Sequence, residues 1–559
     1  KKSLLDFLKR EKRKETKNEH EQKIIEKINL ENEEYIFLLM INSNTNKKNK
    51  INDLFLENIK NTKINKKLIK SSSRKNLINK SIDFINGPFF DKYISIEIYT
   101  KFLKFFLKKK IKEYFTYLPK KFGIENFDVF KKYNFFDFSD FDFFDWSHSK
   151  ILDLTLPSFE DLDLTDELFV KGGYYEISNE QCLGILCAGM LCLLELNKSH
   201  KNPENGGENP HNTNLPNFYR LYSIEKPEYD PNKNKGKKNW VTEEQFDLQN
   251  TYILETKIEK LKCLKNYFII NKYEKIKNYN VKFIYKKIIM NYKLSLDYFK
   301  SDVTKINTYI SNGSFEDHHS IPNIEAYADF ANKRIGGGVL GKGAVQEEIE
   351  FITHPDTIVS KLFFGKMENE DSIQISGYRK YSNHSEYGSK DKNHFKFNDK
   401  KVDFDSIEFS QKTLVAMDSI KYYWKPGQYN KGSFDREIIK CLSAFYAPTV
   451  SDFKRIITGN WGSGVFGSDV VLKFLIQYLC ASYWELDFYY YYFDNSEFED
   501  FFFDQRVGDF FNSNPSQKLI YGLISDSCAH KKNTPSDDFS SIVKKKIEKY
   551  NNENILTID

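Results

Sequence analysis

The chain has 559 residues, and its 84 Lys+Arg against 79 Asp+Glu leave a formal net charge of +5. That length admits several domains and a sizeable core, and so even a balance gives no warrant for a dedicated nucleic-acid binder, although it tolerates a polyanionic substrate. Seven cysteines, an odd number with no C-x-x-C pair, fit reduced thiols in the cytosol or nucleus.

The first residues, Lys1 to about Lys80, are basic and polar with periodic apolar pieces such as Ile24, Ile25 and Ile28. They read as a charged helical arm or a partly disordered extension. Because the chain begins at Lys1, it is expected to be a piece of a longer protein whose targeting signal is not in view. Residues 81–196 read as mainly helical, interrupted by the aromatic-acidic run Tyr133–Trp146 and a turn at Pro157. With 49 Phe and 35 Tyr spread over the chain, that run is expected to dock onto neighbouring helices. The most apolar stretch, Cys182–Leu196, falls short of the ~18–20 residues of a membrane span and reads as a buried helix. Its cysteines recur every five residues, which turns successive sulfurs about 140° apart and denies them a common metal. Lys198–Asn214 and Lys226–Asn239 are Asn-, Lys-, Pro- and Gly-rich loops. The expected organisation is an extension at 1–80, a helical accessory region at 81–250, and an α/β domain at 251–559.

Beyond residue 250, Lys257–Phe268 has helical spacing, and from Phe315 short apolar runs alternate with helical ones. Expected strands are Ile324–Ala331, Ser372–Gly377, Thr413–Ile420, Lys454–Gly459 and Asp487–Phe493. Expected helices are Gln346–Phe363, breaking at Pro355, then Phe434–Tyr446 and Val470–Trp484. Such alternation implies a largely parallel sheet covered on both faces, with ligands beyond the carboxyl ends of its strands.

Two glycine loops fall at those ends. Gly336 to Glu348 reads GGGVLGKGAVQEE, and Asn460 to Asp469 reads NWGSGVFGSD. Three consecutive glycines remove every Cβ where backbone must come close to a ligand, and the helix that follows offers N–H groups to a phosphate. Two carboxylates beside a phosphate are unfavourable unless they hold sugar hydroxyls or move protons. Phosphate, sugar and acid together point to chemistry on a nucleotide sugar. A Walker loop is excluded because Gly343 stands where Ser or Thr must bind magnesium. A Rossmann turn is disfavoured because G-x-G-x-x-G occurs twice, at Gly336 and again at Gly462.

These residues resemble those of poly(ADP-ribose) glycohydrolases. The first loop, with Gln346, Glu347 and Glu348, is similar to that family's GGG-spacer-QEE element. Asp329 to Asn332 (DFAN) lies just upstream as in the family, and Tyr381–Tyr387 (YSNHSEY) resembles its tyrosine clamp. Thr458–Asp469 is similar to its second glycine loop, and Phe493 falls where the family keeps an adenine-stacking phenylalanine. The resemblance is strong over the C-terminal half and extends weakly through Ile177–Leu196, Leu215–Leu221 and Lys257–Phe268. It implies a macrodomain-like α/β fold, a mixed and largely parallel sheet sandwiched by helices, preceded by a mainly helical accessory region.

It also implies hydrolysis of ribose–ribose bonds in poly(ADP-ribose) carried on modified proteins, with no cofactor. Glu348 becomes the general acid and then base, a role for which burial should raise its pKa. Glu347 and Asn332 would hold ribose hydroxyls, and Asp329 would support them. Gln346 belongs to the substrate-binding element, while Gly337, Gly338, Ser463, Gly464, Val465 and Phe466 would offer backbone donors to the pyrophosphate. Tyr387 and Phe493 would clamp and stack. Phe315 and Glu316, in Gly313–Asp317 (GSFED), resemble an adenine-edge segment. Read without the family, Asp329 and Asn332 would equally serve as a turn between strand and loop. Adjacent glutamates on a helix start about 100° apart and are not expected to flank a bond as a glycosidase pair does.

No metal set emerges, since the only histidine pair, His318 and His319, lies in a polar loop without partners at ligand spacing. The other reading is a macrodomain module that binds ADP-ribose without cutting it, but such a reader has no use for Glu347 and Glu348. A monomer in the nucleus or cytoplasm, acting in the DNA damage response without membrane or direct nucleic-acid contact, is expected.

Overall fold

The computed structural model describes chiefly residues 169–190, 242–288, 294–314, 324–404 and 411–555, apart from 275 and 424, with short pieces and single residues between 146 and 221 and at 318 and 321. The extension at 1–80, the loops at 198–214 and 226–239 and nearly all of the Tyr133–Trp146 run lie outside the described residues.

The strands in chain order are β1 (Glu160–Asp161), β2 (Phe169–Ser178), β3 (Asn280–Ile288), β4 (Thr308–Ser311), β5 (Glu325–Asp329), β6 (Asp371–Tyr378), β7 (Asn383–Ser385), β8 (Lys396–Asn398), β9 (Lys412–Ala416), β10 (Arg455–Gly459) and β11 (Asp487–Tyr491). Nine of them form one sheet in the order β1-β2-β3-β6-β9-β5-β10-β11-β4, and β7 pairs with β8 apart from it. The sheet is mixed. From β9 through β5, β10 and β11 to β4 every pairing is parallel, and from β1 to β9 through β6 every pairing is antiparallel.

Helices α1 (Asn179–Met190), α2 (Glu243–Tyr273) and α3 (Gln346–Thr353) cover one face, packing on Val281, Phe283, Ile373, Ile375 and Leu414. Helices α4 (Lys431–Phe445) and α5 (Val470–Tyr483) cover the other, over Ala326, Ala328, Val415, Ile456 and Phe488. Four C-terminal helices, α6 to α9 (Ser496–Phe502, Gln505–Asn512, Gln517–Asn533 and Phe539–Ile555), extend that second layer. No helix among the described residues is long and apolar enough to cross a membrane.

The five expected strands and three expected helices are present, with ends shifted by a few residues. The chain does break at Pro355, passing from α3 into a 3-10 turn, Pro355–Val359, and a short helix, Ser360–Phe363. Two differences are instructive. The stretch read as mainly helical up to residue 196 contains β2, whose Tyr174, Tyr175 and Ile177 favour an extended chain and which pairs antiparallel with β3 along its length. The sheet therefore runs across residue 250. Helix α2 begins at Glu243 rather than Lys257, because Thr242 and Gln245 form a complete capping box: Gln245 N–H donates to Thr242 Oγ1 at 3.2 Å and Thr242 N–H to Gln245 Oε1 at 3.0 Å.

The parallel half fixes the functional end of the molecule. Asp329 pairs with Ala416, and Gly459 with Tyr491, which pairs in turn with Ser311. The carboxyl ends of β9, β5, β10, β11 and β4 therefore form one edge, and both glycine loops leave from it.

Candidate active site

Strand β5 ends at Asp329, and the loop that follows folds back through serial turns to the start of α3. Gly337 N–H donates to Arg334 O at 3.0 Å, Val339 to Gly336 at 3.0 Å, and Gly341 and Gly343 both to Gly338 at 2.9 and 3.2 Å. Helix α3 lacks a side-chain cap from Val345, which has no acceptor. Its first turn is used by the loop instead.

Glu347 Oε1 accepts Gly336 N–H at 2.7 Å and Oε2 accepts Asn332 N–H at 2.9 Å. Glu348 Oε1 accepts Gly338 N–H at 2.8 Å, and Oε2 reaches back to Val345 N–H at 3.1 Å. Gln346 completes the set, taking Phe330 N–H on Oε1 at 2.9 Å. Each bond from a backbone donor to a carboxylate contributes roughly 1.5–3 kcal/mol, enough together to offset much of the cost of burying the two acids.

The two glutamates were expected to diverge. They leave the helix in different directions but close again on one glycine. A Cβ on Gly337 would stand 2.5 Å from Glu347 Oε2 and 2.6 Å from Glu348 Oε1. The reason is that both oxygen pairs seek N–H groups of the same tight turn.

Burial grades the three acids. Asp329 is fully buried, Glu347 is 3 % exposed and Glu348 8 %. Desolvation, followed by the charges of Glu350 and Glu348, pushes the Asp329 carboxyl well above the usual range, and neither of its oxygens has a hydrogen-bond partner among the described residues. Desolvation, then the charges of Asp329 and Glu348, raises Glu347 as well. Asn332 takes part in the turn, its Oδ1 accepting Arg334 N–H at 3.1 Å.

The second loop joins β10 to α5. Gly462, at φ 74°, sits where a Cβ would meet Ser419 Oγ at 2.5 Å. Ser463 N–H donates to Asn460 O at 3.0 Å, and its buried hydroxyl has no partner among the described residues. Gly464 faces open space and Val465 is 73 % exposed. Asp469 caps α5, accepting Leu472 N–H at 2.9 Å. Of the six backbone groups expected as anion donors, those of Gly337, Gly338 and Ser463 are already engaged with Arg334, Glu348 and Asn460. The N–H groups of Gly464, Val465 and Phe466 have no such partner among the described residues.

The aromatic pair meets across the site. Tyr387 and Phe493 lie 6.1 Å apart, ring to ring, at 61°. Phe493 is 57 % exposed and has φ 46°, a left-handed conformation costly for a bulky side chain. It is held by its neighbours: Asn312 Oδ1 accepts Asp494 N–H at 2.8 Å, and Asn460 Nδ2 donates to Tyr492 O at 2.8 Å. The clamp segment is tied to the first loop, since Gly388 N–H donates to Ala344 O at 2.7 Å. Phe315 and Glu316 lie outside the described residues.

Comparison with known proteins now bears on this geometry. Residues 298–500 match the family described as poly(ADP-ribose) glycohydrolase, Macro domain fold. Over these residues the chain is similar to poly(ADP-ribose) glycohydrolases. It is 31% identical over 207 residues to poly(ADP-ribose) glycohydrolase 1 of Caenorhabditis elegans, covering 32% of this chain and 26% of that one. Against poly(ADP-ribose) glycohydrolase 1 of Arabidopsis thaliana it is 27% identical over 263 residues, covering 34% and 47%. The chain thus spans less than half the length of these curated relatives. A crystal structure of a mutant poly(ADP-ribose) glycohydrolase from Deinococcus radiodurans in complex with ADP-ribose covers 36% of this chain and 82% of that chain, at 11% identity and a TM-score of 0.24, a likeness that carries no argument.

Sequence reading missed Lys260 and Asn312. Lys260 shares one face of α2 with the buried Thr256, Cys263, Leu264 and Tyr267, so its signal was a lysine on an apolar stripe. Asn312 leaves none, because its partner Asp494 is 182 residues away.

Gly337→Ala is expected to lose about 1–3 kcal/mol, since its φ of 39° strains any Cβ and the new methyl strikes both glutamates. Thermal unfolding should show this loss, and an unchanged midpoint would mean the loop relaxes freely.

Proposed function

We propose that the chain hydrolyses ribose–ribose O-glycosidic bonds of poly(ADP-ribose), with Glu348 as general acid and then base. The observation that carries this reading is the position of Glu348. It is more accessible than Asp329 and Glu347, and two backbone N–H bonds hold it against the loop. Asp329 and Glu347 are more deeply buried and less able to exchange protons with substrate and water.

In the proposed reaction the Glu348 carboxyl gives its proton to the leaving 2′ oxygen as the bond from the neighbouring anomeric carbon breaks. An oxocarbenium-like ribose results. The Glu348 carboxylate then takes a proton from water, whose hydroxide adds to that carbon and releases ADP-ribose. One acid suffices for both steps.

Glu347 and Asn332 take the ribose hydroxyls. Glu347 retains lone pairs beyond its two N–H bonds, and the Asn332 amide nitrogen is not used in the turn. Asp329 supports them from the strand end, and Gln346 holds that end in place. The pyrophosphate is assigned to the free N–H groups of Gly464, Val465 and Phe466, which stabilise charge without reorganising. Gly337 and Gly338 contribute thinness, leaving room for the two acids. Tyr387 and Phe493 grip the adenine and its ribose.

Two substitutions test the assignment. Glu348→Gln keeps shape but not the proton, so turnover on poly(ADP-ribose) should fall by at least ~10²–10⁴-fold with ADP-ribose affinity little changed. Near wild-type turnover would remove Glu348 from the chemistry and favour the binding-module reading. Phe493→Ala should weaken ADP-ribose binding, measured by calorimetry, by roughly 1–3 kcal/mol. A large fall in melting temperature with unchanged affinity would return this ring to a packing role.

A further inference from the structure

The first glycine loop has a cation behind it. Lys260, on α2, is fully buried, and its Nζ contacts the carbonyl oxygens of Val339 at 3.0 Å, Gly341 at 3.2 Å, Gly338 at 3.4 Å and, most closely, Gly343. Four carbonyls from six consecutive residues thus converge on one nitrogen. Among the described residues no carboxylate lies within ion-pair distance of it. Lys473 provides the contrast: buried behind the second loop, it pairs with Glu437 and donates to Ser419 Oγ at 2.8 Å. Burying an ammonium without a directly paired counter-ion is costly, and the oriented carbonyl dipoles offset part of that cost.

Because peptide units are planar and trans, a carbonyl drawn toward Lys260 turns the next N–H away from it. The N–H groups of Leu340, Lys342 and Ala344 therefore point away from Lys260. The same pull fixes the peptide planes around Gly338, whose own N–H holds Glu348 Oε1 at 2.8 Å. We propose that Lys260 is a positioning residue for catalysis, its charge setting the Gly338–Gly343 turn so that Glu348 is held in its working orientation. This rests on the role given to Glu348 above. Lys260 lies ahead of the segment matched to the family.

Charge on Lys260 is conditional. Burial lowers its pKa to about 7, while Glu348 on α3 and Cys263 on its own helix act to raise it and Lys257 to lower it. As pH rises through about 7 the ammonium loses its proton, and its hold on the carbonyls weakens.

The test compares wild type with Lys260→Met, which keeps the unbranched stem, and Lys260→Arg, which keeps the charge. On poly(ADP-ribose), Lys260→Met should lower kcat roughly 10–100-fold, the scale of a small misplacement of a catalytic group, with ADP-ribose affinity within about threefold. The ratio of wild-type to Lys260→Met kcat should be largest below pH 7 and shrink above it. Lys260→Arg should recover part of the loss. Hydrogen exchange of the 336–344 amides, corrected for intrinsic rates, should be faster in Lys260→Met and should accelerate in wild type above pH 7. That wild-type measurement decides the matter even if a variant does not fold. Unchanged kcat, a flat ratio and unchanged loop exchange would overturn the proposal. If wild type does not cleave the polymer, the functional reading fails, and loop exchange alone still decides whether Lys260 sets the turn.

Discussion

Everything at the candidate site depends on the burial of two adjacent carboxylates at the start of α3. Their four oxygens are claimed by the N–H groups of Asn332, Gly336, Gly338 and Val345, so the acids and the loop define one another. Neither could stand alone. The glutamates would not be tolerated in the interior without these donors, and the loop would lose four of its anchoring bonds without the glutamates. Gly337 is the point of contact, lying where a side chain would displace both acids.

The sheet supplies the frame. Parallel strands β9, β5, β10, β11 and β4 finish along one edge, which brings the acid-bearing loop, the second glycine loop and Phe493 together from segments far apart in the chain. Cross-links then lock the pieces: Trp461 Nε1 donates to Met417 O at 3.0 Å, and Tyr490 OH to Asn460 Oδ1 at 3.0 Å. Strain is concentrated where a ligand would act, in the left-handed backbone of Phe493, and the surrounding hydrogen bonds sustain it.

Much of this was legible in the sequence because its signals are local. The glycine runs, the Gln346-Glu347-Glu348 triplet and the apolar strands of the parallel half could be read within a few residues of one another. What escaped was encoded at a distance or in disguise. Strand β3 alternates, yet one of its inward positions is Lys286, whose Nζ is buried against Tyr446 O at 2.6 Å and Ala444 O at 3.0 Å at the end of α4, and a lysine there breaks the apolar pattern. Strand β4 is four residues long and has no apolar run at all. Helix α2 was shortened because its first turns are polar and stand on a cap rather than on a core. The convergence of Glu347 and Glu348 could not be read from helical geometry, which sets where side chains begin and not which donors they reach. The commitment of Gly337, Gly338 and Ser463 to internal acceptors was equally invisible, since a motif names residues and not the direction of their N–H bonds.

The central claim is that this carboxylate-bearing loop cuts a polymer of ADP-ribose by proton transfer from a side chain. It is tested most directly by incubating the chain with purified poly(ADP-ribose) in the presence of EDTA and identifying the products by mass. The account predicts release of free ADP-ribose at a rate chelation does not change. Polymer recovered intact but bound to the protein, or cleavage that vanishes with EDTA and returns with magnesium or zinc, would contradict it.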